Sequence, residues 1–524
     1  MHRLIANKRC WYVFLCGTIV IGIFVWIAGK QTGITIFEHN GARAATAKTL
    51  YWLTGFAIVF LHLIVFSSLY AIHFYSIQLE RFALCIILML GGLYVFLMTP
   101  FSAPDEIYHY CQSYRLSNTL IGKKQDVISD GWLDPSNYTE QVNTFQGYVN
   151  SVEEWNQNRE QEDEKIPKLA LYRYAPEYFF SAAGITLGRL LSAGAVRSYY
   201  LGRILNLLFY AFCSYFAVRR IPRFKLLFSM IVMLPMAIHQ GASFSYDCFF
   251  NGLGFLTVAS ALSILFSEET LSVKELLWLI IPLALALPSK GGAGTIFLIA
   301  VIPLYFLIPK SRFSRGYYKL LYFILILLLS MIMLLLMWNT RDIASIPDTG
   351  YSVTKGDVRD VVGVSGALQH PLSTVMAVYK TFQSMSFLWV EQAIGLRLGG
   401  LSLWIPEWII IILILLLILS TFNCSTDDAT KECVLFKWRL IFFGIAVCYA
   451  VAVTLTEYIT YSEPGSPTAA GTQGRYFLPV LPLLMMCANN RTIQVMKNID
   501  KPILMFFTLL SARIILQIIL FTLF

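Results

Sequence analysis

The chain has 524 residues, of which 57% are hydrophobic and 14% are charged, and its mean hydropathy is +0.63. A soluble domain carries nearly twice this share of charged residues, so the composition excludes an ordinary soluble protein. The net charge of +9 at pH 7 does not predict nucleic-acid binding, because the basic residues cluster at the ends of apolar runs, as they do in membrane proteins.

Apolar runs recur along the chain at a length that suits a bilayer, which a helix of about 20 residues crosses. They predict an all-α integral membrane protein with about 13 transmembrane helices, at 11–29, 50–74, 81–99, 197–218, 223–239, 246–266, 275–288, 294–308, 317–338, 401–420, 437–457, 475–489 and 502–522. The basic N-terminus and first run resemble a signal peptide. No small-residue cleavage site closes the run, so we expect a retained helix.

Four basic turns determine the predicted orientation, because cytoplasmic loops carry an excess of Lys and Arg. These turns lie at 219–225, 310–319, 431–439 and 491–501. Placing all four inside predicts a cytoplasmic N-terminus in a bacterial plasma membrane. It also puts the two largest loops, 100–196 and 339–400, on the outer face.

Residues 171–193 form an apolar run that does not fit this arrangement as a further span. Counting it as a span would move the basic turn at 219–225 to the outer face. The run also carries Arg173, Glu177 and Arg189, which suits a helix lying in the plane of the membrane interface. We therefore predict an interfacial helix inside the first large outer loop.

The loop 100–196 is acidic in a chain that is otherwise basic, since residues 100–172 hold twelve acidic and six basic side chains. Loops of this length are usually functional or disordered, and aromatic residues such as Trp132 favour an ordered, functional loop. The loop 339–400 is partly apolar, and we expect its segment 370–388 to lie on the membrane as well.

The sequence PDEIYH, residues 104–109, follows the outer end of the third predicted helix. Two adjacent carboxylates, Asp105 and Glu106, are costly at a membrane surface unless they have partners or a function. Helical spacing places His109 one turn after Asp105, so this carboxylate could act as a general base on a hydroxyl or hold Mg²⁺ or Mn²⁺. The alternative is structural: Ser102 caps a short helix and Asp105 completes a capping box.

A second motif, SFSYDCFFN, opens the predicted helix 246–266 at the outer face. Asp247 lies at the helix start and Asn251 lies one turn deeper. An acid and an amide inside an apolar run indicate a functional site. A helix cap by Asp247 is the structural alternative.

Two further motifs place glycines and a cation at the outer start of a predicted helix. They are SKGGAGT, with Lys290, and GTQGRYFLP, with Gln473, Arg475 and Tyr476. Glycines and a helix N-terminus suit an anion, and a guanidinium makes planar contacts with phosphate. The alternatives are a hairpin turn with a snorkelling lysine and an arginine that anchors a helix end. Because all four motifs fall on the outer face, we predict that they form one site.

Together these motifs resemble those of a bacterial membrane-protein family long labelled as a domain of unknown function. The motifs that carry the resemblance are PDE-x-x-H, S-x-D with its following Asn, the lysine turn and QGRYFLP. This family is itself similar to the GT-C glycosyltransferases. The resemblance covers about residues 81–490, with 1–80 as a two-helix addition and 491–524 as a C-terminal helix.

The resemblance implies a GT-C-like fold in which an acidic residue of the first outer loop is the catalytic base. Asp105 matches that place and Glu106 is its neighbour, while Asp247 matches a second acidic position in the next outer loop. The family often has a further Asp near its late outer loop, and LGGLSLWIP at 398–406 lacks it. This stretch therefore offers no acidic residue for the site.

The implied reaction is an inverting transfer of a sugar from a polyprenyl-phosphate donor to a cell-envelope glycan or glycolipid on the outer face. Lys290 and Arg475 would hold the lipid phosphate, and Asp247 would position the acceptor or a divalent cation, the one cofactor considered. The other predicted substrate contacts are His109, Asn251, Gln473 and Tyr476.

Three other functions stay open on the sequence. A polysaccharide polymerase or ligase would use a lipid-diphosphate-linked glycan, and a transporter would move lipid-linked sugars. A transporter would favour internal symmetry and polar residues at the membrane midplane, and the sequence has neither. A non-catalytic assembly subunit is the third alternative, because a fold does not establish a chemistry.

Overall fold

The computed structural model describes most of the chain. The described residues are 2–28, 44–123, 127–128, 164–165, 176–267, 269–309, 311, 313, 318–339, 361–422, 434–489 and 499–523. Most of the acidic outer loop, including Trp132, lies outside these residues, so the prediction of an ordered loop there stays a prediction.

Helices dominate the described chain. In chain order those of the first half are α1 His2–Ala28, α2 Ala44–Phe74, α3 Leu79–Leu97, α4 Glu106–Leu120, α5 Phe179–Leu190, α6 Ala195–Arg220, α7 Lys225–Val232, α8 Pro235–Gly241 and α9 Asp247–Phe266. Those of the second half are α10 Val273–Ala286, α11 Phe297–Leu307, α12 Tyr318–Asn339, α13 Gly363–Gln369, α14 Pro371–Ile394, α15 Glu407–Leu419, α16 Phe436–Tyr461, α17 Leu481–Met486 and α18 Asp500–Leu523.

Three 3-10 segments and two small two-stranded sheets complete the described secondary structure. The 3-10 segments are Pro176–Tyr178, Ser289–Ile296 and Gly474–Val480. Strand β1 (Val127–Ile128) pairs with β2 (Glu164–Lys165), and β3 (Arg397–Leu398) pairs with β4 (Leu403–Trp404), both antiparallel. Each 3-10 segment positions a residue of the site described below.

Among the described residues, six helices are long and apolar enough to cross a membrane: α2, α3, α6, α9, α16 and α18. Shorter apolar stretches occur in α1, α11, α12, α15 and Gly474–Met486. The architecture is therefore all-α and membrane-like, as predicted. The predicted total of about 13 spans is a finer statement that length and composition do not test.

Several predicted spans differ from the helices that form; the run 475–489, for example, consists of the 3-10 segment Gly474–Val480 and the short helix α17. The run 223–239 is two helices, α7 and α8, because Pro235 cannot donate a backbone hydrogen bond and disfavours helical geometry at the preceding residue. The run 401–420 begins with strand β4, and its helix starts only at Glu407. Apolar composition alone does not reveal these interruptions.

Helix α9 lies at the centre of the fold. Nearly all of its side chains are buried, and it packs against α6, α10, α11 and the segment Gly474–Val480. A helix that is apolar on every side belongs in an interior, so α9 is surrounded by other helices. Its first residue, Asp247, is consequently carried into the protein rather than left at the surface.

The predicted interfacial segment 171–193 contains helix α5. Its 12 residues extend about 18 Å, which is too short for a bilayer core of about 30 Å. Gly184 lies against the backbone of Leu201 and Gly202 with no room for a Cβ atom, so α5 packs closely along α6. A helix this short is compatible with a segment that does not span, and its location in the interface remains a prediction.

Candidate functional site

Asp247, Lys290 and Arg475 form a buried triad of charges. Lys290 Nζ contacts one carboxylate oxygen of Asp247, and Arg475 Nε lies 2.8 Å from the other. The side chains of Asp247 and Arg475 are 1% and 3% exposed, and that of Lys290 is 10% exposed. Three residues predicted from separate motifs therefore meet, and each charge depends on the others for compensation.

Aromatic rings surround the ammonium group of Lys290. Its Nζ lies 4.4 Å from the ring centroid of Tyr246 and 4.5 Å from those of Phe250 and Tyr476. Cation–π contacts of this kind stabilise a desolvated cation. The predicted residue Tyr476 also stacks on Arg475, whose Cζ lies 5.2 Å from the ring centroid. The rings of Tyr246, Phe250 and Tyr476, called the aromatic cage below, therefore keep the two cations close together.

The backbone of Lys290 has an uncommon conformation. Its φ is +53°, in the left-handed region that non-glycine residues rarely occupy, and surrounding contacts must stabilise such a residue. The Lys290 amide donates a hydrogen bond to Glu177 Oε1 at 3.1 Å. The 3-10 segment after α10 thereby directs this side chain toward Asp247.

Arg475 is positioned by helix α14. The Gly474 amide donates to Gln392 Oε1 at 2.9 Å, and a Cβ atom at Gly474 would collide with the carbonyl of Trp389. Only glycine permits this approach, so it fixes where the next residue, Arg475, points. Gln473, predicted to bind substrate, is half-buried just before this segment.

Buried polar atoms without a hydrogen-bond partner occur both within the triad and next to it. Within the described part of the chain, Arg475 Nη1 and both amide atoms of Asn251 have no hydrogen-bond partner. Asn251 lies one turn below Asp247 on α9 and is 1% exposed. Buried polar groups are normally paired, so unpaired ones here indicate groups available to a ligand or to water.

Glu106 lies in a different environment from its neighbour. Its carboxylate accepts hydrogen bonds from Arg203 Nε at 2.9 Å and Nη2 at 2.7 Å, and from the backbone amides of Phe244 and Ala103. This bidentate ion pair is buried and fully hydrogen-bonded. We therefore assign Glu106 a structural role, in place of the catalytic role that its position beside Asp105 suggested.

Asp105 is the exposed carboxylate of the pair. It occupies the N-cap position of α4 at φ +57° and makes no side-chain cap hydrogen bond, so the predicted Ser102–Asp105 capping box is absent. Its charge acts on Arg475, Tyr178 and Glu457, so it lies within electrostatic range of Arg475 in the triad. A solvent-accessible carboxylate held in a rare backbone conformation fits a functional group.

His109 packs into the same cluster one turn after Asp105. Its Nδ1 lies 2.9 Å from Tyr178 Oη, and its ring lies edge-on to Tyr246 at 4.3 Å between centroids. The pKa of His109 is lowered to about 3, chiefly by burial; the charge of Asp247 opposes this effect, and the charges of Arg475 and Lys290 add to it. The imidazole is therefore neutral at physiological pH.

The residues around Asp247 do not fit a resident Mg²⁺ or Mn²⁺ ion. Such ions prefer several oxygen ligands and net negative charge, whereas Asp247 is already paired with two cations. Among the described residues, no group of three or more His, Cys, Asp or Glu side chains could hold a metal ion. The net positive charge of the triad therefore suits an anion better than a cation.

Several residues of the site were not identified from the sequence. Arg203 was not predicted as a site residue, and Glu177 was interpreted only as a sign of an interfacial helix. An arginine in an apolar helix requires a buried counterion, so Arg203 could have been matched to Glu106. Glu457 and Gln392 were not identified from the sequence either.

A bundle of spanning helices around a buried, aromatic-lined charge cluster defines an all-α membrane protein that contacts the lipid bilayer. Residues 88–484 match the family described as "Predicted membrane protein (DUF2142)", and the chain belongs to this family. The match falls inside the predicted extent of 81–490. Comparison with curated proteins and with solved structures found no match.

Proposed function

We propose that this protein is a membrane glycosyltransferase that moves a sugar from a polyprenyl-phosphate donor to a cell-envelope glycan or glycolipid. The proposal includes a GT-C-like fold of about 13 spanning helices in the bacterial plasma membrane, with the site on the extracytoplasmic side. The observation that carries it is the caged triad of Asp247, Lys290 and Arg475 beside the exposed Asp105.

The charge of the triad suits a phosphodiester. Two cations and one carboxylate leave a net charge of one positive unit, and a sugar linked to a lipid through one phosphate carries one negative charge. A lipid-diphosphate donor would bring more negative charge than the triad balances. The cluster therefore favours a monophosphate-linked donor over the polymerase or ligase alternative.

The proposed reaction is a single displacement at the anomeric carbon. Asp105 accepts the proton of the acceptor hydroxyl, and the hydroxyl oxygen forms a bond to the anomeric carbon. The bond from that carbon to the phosphate oxygen breaks, and the lipid phosphate leaves with the electron pair. Lys290 and Arg475 stabilise the charge of the leaving phosphate in a site shielded from water, and the configuration at carbon is inverted.

Neutral His109 and buried Asp247 have supporting roles in this proposal. A neutral imidazole can donate or accept a hydrogen bond without adding charge, so His109 orients Tyr178 or the substrate. Asp247 holds the two cations in position before the donor arrives. Its own pairing makes it a poor base, which leaves Asp105 as the carboxylate able to take a proton.

The test is sugar transfer by the purified full-length protein in lipid nanodiscs. A panel of polyprenyl-phosphate hexoses and pentoses is offered with cell-envelope glycans and glycolipids, and release of polyprenyl phosphate is measured. We expect Asp105→Asn to reduce the rate at least 100-fold with an unchanged melting temperature. Glu407→Gln, which changes another exposed carboxylate, serves as the matched control and should retain the wild-type rate.

Arg475→Lys tests the donor site in the same assay, because lysine keeps the charge and loses the planar, multi-donor contact. We expect the donor KM to rise while the acceptor KM stays constant. Transfer by Asp105→Asn at the wild-type rate would remove the proposed base. Failure of the wild-type protein to bind any lipid-phosphate donor would refute the function itself.

A further inference from the structure

Glu177 is a buried carboxyl group at the junction between the outer loop and the triad. It lies in the 3-10 segment that precedes α5 and is 5% exposed. Its Oε1 accepts the hydrogen bond from the Lys290 amide at 3.1 Å. Within the described residues its Oε2 has no hydrogen-bond partner. No predicted role used this residue.

This single hydrogen bond supports the unusual backbone of Lys290. A non-glycine residue in the left-handed region costs of order 1–3 kcal/mol and persists only where the surroundings hold it. The Lys290 φ of +53° aims its side chain at Asp247 and at the three rings of the cage. Loss of the Glu177 acceptor would let this turn relax and the ammonium group leave the cage.

The charges around Glu177 are few. The segment Pro176–Tyr178 packs against α4, α5, α9 and the 3-10 segment Ser289–Ile296. The titratable or charged groups that these elements bring near it are Asp105, Tyr108 and His109 at the start of α4, Asp247 and the adjacent Tyr246 at the start of α9, and Lys290. Helix α5 contributes Arg189, which lies at its far end. Lys290 is therefore the cation that faces Glu177.

Burial raises the pKa of Glu177 to about 7, and its hydrogen bonds and the charge of Lys290 only partly oppose this effect. The carboxyl group is thus about half protonated near neutral pH. The neighbouring His109 does not change charge in this range, because burial keeps its pKa near 3.

We propose that Glu177 is a positioning residue that holds Lys290 in its anion-binding conformation and couples binding of the donor phosphate to uptake of a proton. This inference rests on the proposed lipid-phosphate site. A phosphate beside Lys290 adds negative charge close to the Glu177 carboxyl, which favours the neutral carboxylic acid. Protonation removes this repulsion while Oε1 still accepts the hydrogen bond from Lys290.

Two substitutions separate the two effects. Glu177→Gln keeps an oxygen acceptor for the Lys290 amide and has no charge, so it imitates the protonated state. Glu177→Ala removes the acceptor as well. The positioning role therefore predicts different results for the two variants, whereas a merely space-filling role predicts the same result for both.

The experiment measures binding of farnesyl methyl phosphate to the full-length protein in nanodiscs at pH 6 and pH 8.5. This probe is a phosphodiester, so its own charge is constant over the range. We expect wild-type affinity to fall about five- to tenfold between the two pH values. Glu177→Gln should keep the high affinity at both pH values, and Glu177→Ala should bind at least about tenfold more weakly at both.

Glu457 needs a control of its own, because its charge also acts on Lys290. The Glu177→Gln comparison is therefore repeated in a Glu457→Gln background, where the loss of pH dependence should still appear. Glu407→Gln should reproduce the wild-type pH profile, because the charge of Glu407 is not among those that act on Glu177 or Lys290. Size-exclusion profiles and melting temperatures verify folding, and Glu177→Gln alone carries the test if the alanine variant does not fold.

The outcomes distinguish the inference from the proposed function. No binding of the probe by the wild-type protein at either pH would overturn the lipid-phosphate site. Binding by the wild-type protein with an identical pH profile in Glu177→Gln would overturn the proton coupling of Glu177. Wild-type affinity in Glu177→Ala would overturn its positioning role, while leaving the lipid-phosphate site intact.

Discussion

Asp105 and Glu106 are adjacent in the chain and occupy opposite environments. Glu106 is enclosed by Arg203 and two backbone amides, whereas Asp105 is exposed beside the triad. Arg203 also donates to the carbonyls of Val95 and Met98 near the end of α3. This ion pair therefore connects α3, α4 and α6, and it fixes the start of α4, where Asp105 is the N-cap residue.

Substitution of Glu106 should reveal its structural role. Glu106→Gln leaves the Arg203 charge buried without a counterion, a change that costs about 3–5 kcal/mol in comparable buried pairs. We expect a large fall in the melting temperature measured in detergent. Asp105→Asn should melt like the wild type. The double variant Glu106→Leu/Arg203→Leu should recover part of the loss, and equal melting of Glu106→Gln and wild type would contradict this role.

His109 should make the stability of the protein depend on pH. The unfolded imidazole binds a proton below its ordinary pKa of 6.5, whereas the folded one does so only near pH 3. The unfolded state therefore holds more protons between these values, and stability rises with pH across the window. Between pH 5.5 and 7.5 the gain is about 1.4 kcal/mol.

The measurement is the difference in melting temperature between pH 7.5 and pH 5.5. In His109→Gln this difference should be smaller than in the wild type, because glutamine keeps a polar partner for Tyr178 and does not titrate. The comparison isolates His109 from other titrating groups. An unchanged difference would show that His109 is protonated normally in the folded protein.

At the scale of the elements, the site is assembled where short 3-10 segments meet long helices. Lys290 and Arg475 both lie in such segments, and α9 supplies Asp247. The sequence predicts helix starts at these positions, which would have presented free backbone amides to an anion. The segments instead present side chains, because their geometry aims Lys290 and Arg475 at the start of α9.

Gly474 tests whether the contact with α14 positions Arg475. Gly474→Ala would place a Cβ atom against the Trp389 carbonyl, and overpacking of this kind costs about 1–3 kcal/mol. We expect a lower melting temperature and weaker binding of farnesyl methyl phosphate. Gly444→Ala in α16 is the matched control, because a Cβ atom there meets nothing within 4 Å. Equal binding of the probe by both variants would show that the contact between Gly474 and α14 does not position Arg475.

At the scale of the whole molecule, the proposed orientation places the triad outside and the basic turns inside. Thr468 and Glu269 are exposed and lie on opposite sides in this arrangement. Thr468→Cys should react with a membrane-impermeant maleimide in intact cells, and Glu269→Cys only after permeabilisation. Both are made in a background from which the native cysteines are removed. The reverse pattern would invert the topology and place the site in the cytoplasm.

Composition and hydropathy were sufficient to predict an all-α membrane protein, since a low share of charge and long apolar runs leave few other solutions. Motif chemistry identified Asp247, Lys290, Arg475 and Tyr476, because charged residues at the ends of apolar helices are costly unless they have partners or a function. The break before Pro235 and the late start of α15 were missed, since both occur inside runs that are mostly apolar.

What the sequence by itself determined is the class of protein and a short list of costly polar residues. Which of these residues meet was decided only by the tertiary structure, because charge pairing depends on distance in space and each partner lies on a different helix or segment. Packing around α9 brought Lys290 and Arg475 into contact with Asp247. Packing of α6 against α3 and α4 brought Glu106 and Arg203 together as an ion pair. That same packing left Asp105 as the accessible carboxylate beside the triad.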